Sequence, residues 1–308
     1  MPTEPFRRLL DPDEAVTQIR RVIDLVSPLL REVINHATWA HQRCHGEMAS
    51  GSVPDESFAA LTLYRNVIEM SDAIDVLFQQ SCIPSSIPLL RSSFEASLSL
   101  EYLLASDYTR RALAWYCDQI HGRIRIAQLG DHSTPEGRDF LNAMYPADPS
   151  RWPSLNDVRA EIDRYQDLLR EPHLLQISTD YMNLPRPRRH WYSLYGGPSN
   201  IREMSVALNH RVEYDYLYRL WSSVAHASNL SSYFSVLPTG QPVFSSVRNP
   251  EDIKNAATYA ISFLLRSTRA MIAHFRDGED ISRWYLSEVR PRWDALMSTQ
   301  ITINSIVQ

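Results

Sequence analysis

The residues of this chain whose types and spacing suit acid–base chemistry most directly are Arg219 and His226, in the stretch RLWSSVAHAS, residues 219–228. On a helix, residues seven apart share a face, and Ser222 and Ser223 sit one turn before the histidine. Histidine moves a proton near neutral pH and arginine is a fixed cation, so the pair could line one groove as an acid–base group beside a positive charge. At about 1.5 Å of rise per residue the two Cα atoms lie roughly 10 Å apart. Helical side chains lean toward the N-terminus, so His226 leans toward Ser223 while Arg219 leans away. Joint action is therefore expected where two copies of the helix meet, which implies a homodimer. The competing reading makes His226 a hydrogen-bonded core group.

Three other groups of residues bear on chemistry. In PLLRSSFEASLSLEYLL, Arg91 and Glu95 fall on one helical line with Ile87, Leu98 and Tyr102. Their i,i+4 spacing allows an ion pair that sets helix packing, or a Glu95 that orients a catalytic group on another helix. In RPRRHW, Arg186, Arg188 and Arg189 beside His190 and Trp191 offer phosphate contacts and a stacking surface, or simply a solvated basic loop. Asp118 and His121 have the i,i+3 spacing that carboxylate–histidine metal ligands use, with Glu69, Glu95 and His226 as further donors. Only one such pair occurs, where a two-metal bundle normally presents two, so neither a stoichiometric metal nor another cofactor is expected. A Ser223–His226–Glu95 hydrolase lacks the strand–turn–helix elbow that exposes a nucleophilic serine.

The elements that must position these groups read as helices. Ile19, Val22, Ile23, Val26, Leu29, Leu30 and Val33 mark one helical face, and Ala60, Leu63, Tyr64, Val67, Ile74 and Leu77 another. A helix opens after Pro88 and runs to about Leu104, and another covers roughly residues 108–129. DHSTPEGRDF, YPADPSRWPS and NLPRPRRHWYSLYGGPSN read as loops, with LNDVRAEIDRYQDLLR as an exposed amphipathic helix between them. SNIREMSVALN is a short helix and residues 211–236 a long one. Asn249, Pro250, Glu251 and Asp252 start the next helix as cap, first residue and dipole-matched acids. No convincing run of alternating strands appears. The expectation is an all-α helical bundle, one domain over residues 1–308 with a loop-rich insertion near 130–200.

Composition narrows the partners. A hydrophobic share of 44% in 308 residues supplies a sizeable core, and a formal charge of −5 argues against a broadly basic nucleic-acid surface while leaving room for a local patch. Cys44, Cys82 and Cys117 show neither a disulfide framework nor a CxxC metal site. The opening MPTEPFRRLLDPDEAV lacks the apolar core of a signal peptide, and no apolar run reaches the roughly 20 residues that span a bilayer. A cytoplasmic protein with no membrane association is expected.

RSSFE at residues 91–95, HWYSLYGGPSNIREMSVAL at 190–208 and YRLWSSVAHAS at 218–228 occur in this order. Together they resemble the bacterial domain-of-unknown-function family 5677, with its RxxxE helix, tryptophan-led loop and SxxxH helix. The likeness spans about residues 60–275, and this chain carries residues 192–198 where the family loop is usually shorter. The resemblance implies an α-helical bundle and assigns no activity. Arg219-x6-His226 is also similar to the Rx4–6H signature of the HEPN superfamily, helical bundles that include metal-independent ribonucleases of toxin and defence systems. That likeness implies an RNA substrate, His226 in acid–base chemistry and Arg219 on the phosphate across a homodimer; Leu220 stands where a polar residue commonly follows the arginine. Two other readings stand beside the ribonuclease: a small-molecule enzyme with its site in the bundle core, and a non-catalytic binding or regulatory module built on Arg91, Glu95 and His226.

Overall fold

The computed structural model describes residues 12–46, 55–146, 148–218, 234–236, 239–244, 248, 252–276 and 278–300. Along the chain they form α1 (Pro12–Gly46), α2 (Asp55–Gln79), α3 (Ile83–Ala105), α4 (Tyr108–Gln128), α5 (Pro135–Met144), α6 (Leu155–Leu169), α7 (Pro172–Asn183), α8 (Ile201–Ala207), β1 (Phe234–Val236), β2 (Pro242–Phe244), α9 (Ile253–Phe275) and α10 (Arg290–Ser298). The fold is all-α, as the periodicity indicates. Among the described residues the exception is one antiparallel ribbon, in which Phe234 pairs with Phe244 and Val236 with Pro242. Gly240, at φ +83°, supplies the left-handed backbone that its turn needs. No described helix is long and apolar enough to cross a membrane.

The described residues fall into two compact units. The first draws on Met1–Val53, Ala60–Ala105 and Ser205–Gln308, the second on Pro54–Ala59 and Ser106–Met204. In the first, α1 and α3 both pack on α9. Every member of the α1 stripe from Ile19 to Val33 named above is buried, each such side chain contributing about 1.5–3 kcal/mol. Small residues, Ser93, Ala96 and Ser97 on α3 and Ala256, Ala257 and Ala260 on α9, are buried with them. Phe94 and Phe263 meet with ring centroids 5.3 Å apart. The buried Tyr64 hydroxyl of α2 donates to Thr268 Oγ1 of α9 at 2.7 Å, and Thr268 in turn donates to Leu264 O.

The second unit is organised on α4, against which α6, α7 and the turn Trp191–Gly196 pack. Helix α7 buries Leu174, Ile177, Ser178 and Tyr181, an i, i+3, i+4, i+7 set. Two of those four are polar, and their placement against α4 creates the site described below.

Several boundaries differ from the sequence reading. Helix α3 begins at Ile83, not after Pro88, and holds Pro88 inside it. Pro84 takes the first turn, and the bond that Pro88 forgoes is the one to the carbonyl of Pro84 at the helix end. DHSTPEGRDF contains the start of α5: Thr134 Oγ1 accepts from Gly137 N at 3.0 Å, with Pro135 first and Glu136 in the first turn. Helix α7 lies in the same middle section, beginning with Pro172. The single long helix over residues 211–236 is replaced, where described, by a helical turn Arg211–Glu213, a π turn Tyr214–Tyr218 and the strand β1. Helix α9 starts at Ile253, with Asp252 at its cap position and its Oδ1 accepting from Asn255 Nδ2 at 3.1 Å.

Candidate functional site

Helix α4 carries Asp118, His121 and Arg125 at i, i+3 and i+7, and α7 carries Ser178 and Tyr181 at i and i+3. The two helices pack so that these residues meet as rungs. His121 Nε2 and Ser178 Oγ share a hydrogen bond of 3.1 Å. The Tyr181 hydroxyl donates a short hydrogen bond to Asp118 Oδ1. Tyr181 belongs to both rungs, because its ring also stacks on His121, centroids 5.0 Å apart and planes 15° from parallel. Ser178 and Tyr181 are buried, while Asp118 and His121 are half-buried and Arg125 is exposed.

The third side of the site is the loop after α7. The Arg189 guanidinium turns back on that helix: Nη2 donates to Met182 O at 2.8 Å and to Leu184 O at 3.0 Å, and Nε to Leu184 O at 3.3 Å. It thereby satisfies carbonyls that a helix C-terminus leaves open. His190 is exposed, with its ring stacked on Tyr192 at 5.0 Å. The next turn contains Tyr195 at φ +56°, whose hydroxyl donates to Asp180 Oδ2 at 3.1 Å and whose ring lies under Arg110 at 4.3 Å.

These surroundings displace the protonation of each group. Burial, then the positive charges of Arg125 and Arg189, pull the His121 pKa down to about 4, so its imidazole is neutral at physiological pH. Asp118 moves the other way: burial raises it, against the opposing pull of the Tyr181 hydroxyl, Arg125 and His190. Tyr181 is pushed up to about 12 by burial and by its bond to Asp118, and burial does the same to the Cys117 thiol. An acid held up and a base held down, one turn apart, is the pattern of opposed shifts that acid–base sites use.

Of the residues singled out from sequence, Arg219, Ser223 and His226 lie outside the described residues. Arg91 and Glu95 form the i,i+4 ion pair, Nε to Oε1 at 3.0 Å, with side chains 20% and 35% exposed. At that exposure they are not sunk in the core. Arg188 is exposed, in the 3-10 turn Arg186–Arg188. Trp191 corrects the expectation of a stacking surface: its indole is only 6% exposed and meets Tyr192 edge-on, so it anchors the turn to the core. Asp118 and His121 do not converge as metal ligands, since Asp118 faces Tyr181 and His121 faces Ser178. No group of three histidine, cysteine or acidic residues among the described residues is arranged to hold a metal ion.

The sequence reading missed Ser178 and Tyr181, and also a second polar cluster, Glu101, His210, Glu213 and Arg266, in the first unit. There His210 Nε2 lies 3.1 and 3.0 Å from the two Glu101 carboxylate oxygens, and Arg266 Nη1 lies 3.1 Å from His210 Nδ1 and 2.9 Å from Glu213 Oε2. A signal for Ser178 and Tyr181 existed in ISTDY, as polar residues at helical spacing behind Leu174.

No curated protein matches this chain, and no solved structure does. The family of unknown function DUF5677 is matched over residues 57–241, a span that holds all of the α4–α7 site and its loop. The likeness drawn from RSSFE, the tryptophan-led loop and YRLWSSVAHAS is thereby made firm: the chain belongs to the DUF5677 family.

Proposed function

We propose that this chain is a metal-independent ribonuclease whose chemistry runs at the α4–α7 site, with His121 as proton acceptor and Arg125 and Arg189 as cations for the phosphate. One observation carries the reading: a neutral imidazole is seated against Ser178 and Tyr181 in the field of two guanidinium groups. RNA brings its own nucleophile, the 2′-hydroxyl, so cleavage asks the protein only for a base, an acid and positive charge at the phosphate. His121 supplies a lone pair, and an incoming phosphate offsets the arginine field that depresses its basicity. Exposed Arg186 and Arg188 add positive charge on the same loop for the backbone of a bound RNA. All of these groups come from one chain, so this site does not need a second copy. The Arg219–His226 pair would need one, in a homodimer.

The test is a labelled single-stranded RNA incubated in excess chelator with the wild-type chain, His121→Ala and His226→Ala. The expected result is cleavage to 2′,3′-cyclic phosphate ends, reduced by about 100-fold or more in His121→Ala and little changed in His226→Ala. The reverse pattern would move the chemistry to RLWSSVAHAS. No cleavage by the wild-type chain across a panel of RNAs would end the reading.

A further inference from the structure

Cleavage by the 2′-hydroxyl leaves a second proton to account for, the one that the departing 5′-oxygen must gain. Asp118 stands one turn before His121 on α4, and the same tyrosine touches both. The Tyr181 hydroxyl occupies Oδ1 of Asp118, which leaves Oδ2 as the oxygen able to carry and release a proton. Among the described residues no arginine or lysine forms an ion pair with Asp118, unlike the acidic residues of the first unit's cluster. A half-buried carboxyl that no arginine or lysine pairs with is a poor stabilising device and a better acid.

Resting on the RNA-cleavage reading, we infer that Asp118 is the general acid of the reaction and that Tyr181 is its positioning residue. In the step, the O2′–P bond forms as the 2′-hydroxyl proton passes to His121. The P–O5′ bond breaks as the Oδ2 proton of Asp118 passes to O5′. The products are a 2′,3′-cyclic phosphate and a free 5′-hydroxyl, with His121 left as imidazolium and Asp118 as carboxylate, and exchange with water restores both.

The groups that face Asp118 set when it can act. They are Cys117 and Arg125 on α4, Tyr181 on α7, and His190 on the loop. Burial holds the proton on the carboxyl, while the Tyr181 hydroxyl, Arg125 and His190 favour its release. Activity must then fall as pH drops through the pKa of His121, near 4 in the free protein, and fall again as pH rises through that of Asp118. Burial moves the alkaline limb above the ordinary carboxylate range, and a bound phosphate displaces both limbs upward.

A pair of substrates isolates the acid. A dinucleotide needs its leaving alkoxide protonated, whereas a uridine 3′-(p-nitrophenyl phosphate) departs as a stable phenolate without help. Asp118→Asn should lose about 100-fold or more on the dinucleotide and stay within a few-fold of wild type on the nitrophenyl ester. Tyr181→Phe keeps the carboxyl and removes the donor to it, so its alkaline limb should move to higher pH. Equal losses on both substrates in Asp118→Asn, with an unmoved alkaline limb in Tyr181→Phe, would overturn the assignment while leaving His121 in place. Nitrophenyl ester cleavage as fast in His121→Ala as in wild type would instead bring down the reading beneath it.

Discussion

His121 and His210 are both half-buried histidines that meet side chains from a neighbouring helix, one in each compact unit. The side-chain hydrogen bonds of His210 among the described residues are with charged groups. Arginine can only donate, so Arg266 Nη1 at 3.1 Å requires the Nδ1 of His210 to accept, and Nε2–H then donates to Glu101 at 3.0 Å. The tautomer is determined, and Arg266 in turn pairs with Glu213. His121 has a serine and a tyrosine ring as partners and two arginines that act on it only through their field. A histidine whose nitrogens are both held by charged side chains has little left to offer a substrate, whereas one kept neutral by burial and nearby cations keeps a lone pair in reserve. The difference separates a packing network from a candidate site more sharply than the presence of a histidine does.

The comparison breaks if the two residues respond alike. His210→Ala removes a hydrogen-bond partner from both Glu101 and Arg266, whose side chains are 27% and 19% exposed. It should cost about 1–3 kcal/mol by urea denaturation, whereas His121→Asn should stay within roughly 1 kcal/mol at pH 7. Equal losses would erase the distinction.

A smaller effect concerns acid. Unfolded, His121 takes up its proton near pH 6.5; folded, it does so only near 4. The unfolded chain therefore binds more protons between those values, and the contribution of His121 to stability is full above about 6.5 and lost as pH falls toward 4. Asp118 has the opposite sign: its raised pKa makes the folded chain keep a proton that the unfolded chain releases, a contribution lost as pH rises. Urea midpoints at pH 7 and 5 should converge in His121→Asn relative to wild type, whereas Asp118→Asn should remove a destabilisation that sets in as pH rises above the ordinary carboxylate range. Unchanged pH sensitivity in both variants would mean that neither group titrates as its surroundings dictate.

The smallest expected effect is that of Glu95→Gln. An i,i+4 pair this exposed contributes about 0.3–0.5 kcal/mol. A loss beyond roughly 2 kcal/mol would give Glu95 a role larger than pairing with Arg91.

Much of the architecture was legible beforehand. The α1 stripe, helix α6, the Arg91–Glu95 pair and the family likeness all rest on local spacing, and spacing survives whatever the rest of the chain does. The limits show at α5, where Thr134–Pro135–Glu136 is a readable helix start that the surrounding Gly and Ser obscured, and at Pro88, whose apparent helix start was one turn late. They show again at Trp191, where an aromatic beside three arginines resembles a stacking surface until its burial is known.

By itself the sequence determined that this chain is a set of amphipathic helices, which faces they bury, and that Asp118 and His121 share one of those faces. Only the tertiary structure decided what that face meets. Ser178 and Tyr181 lie about sixty residues away along the chain, and nothing in their local pattern says that α4 will cover them. Periodicity reports that a surface is buried and is silent about the partner, because the hydrophobic effect that buries it is non-directional. The partner decides the chemistry: beside Ser178, Tyr181, Arg125 and Arg189, the aspartate is drawn away from the histidine as a metal co-ligand, the carboxyl's pKa is raised and the imidazole's is lowered.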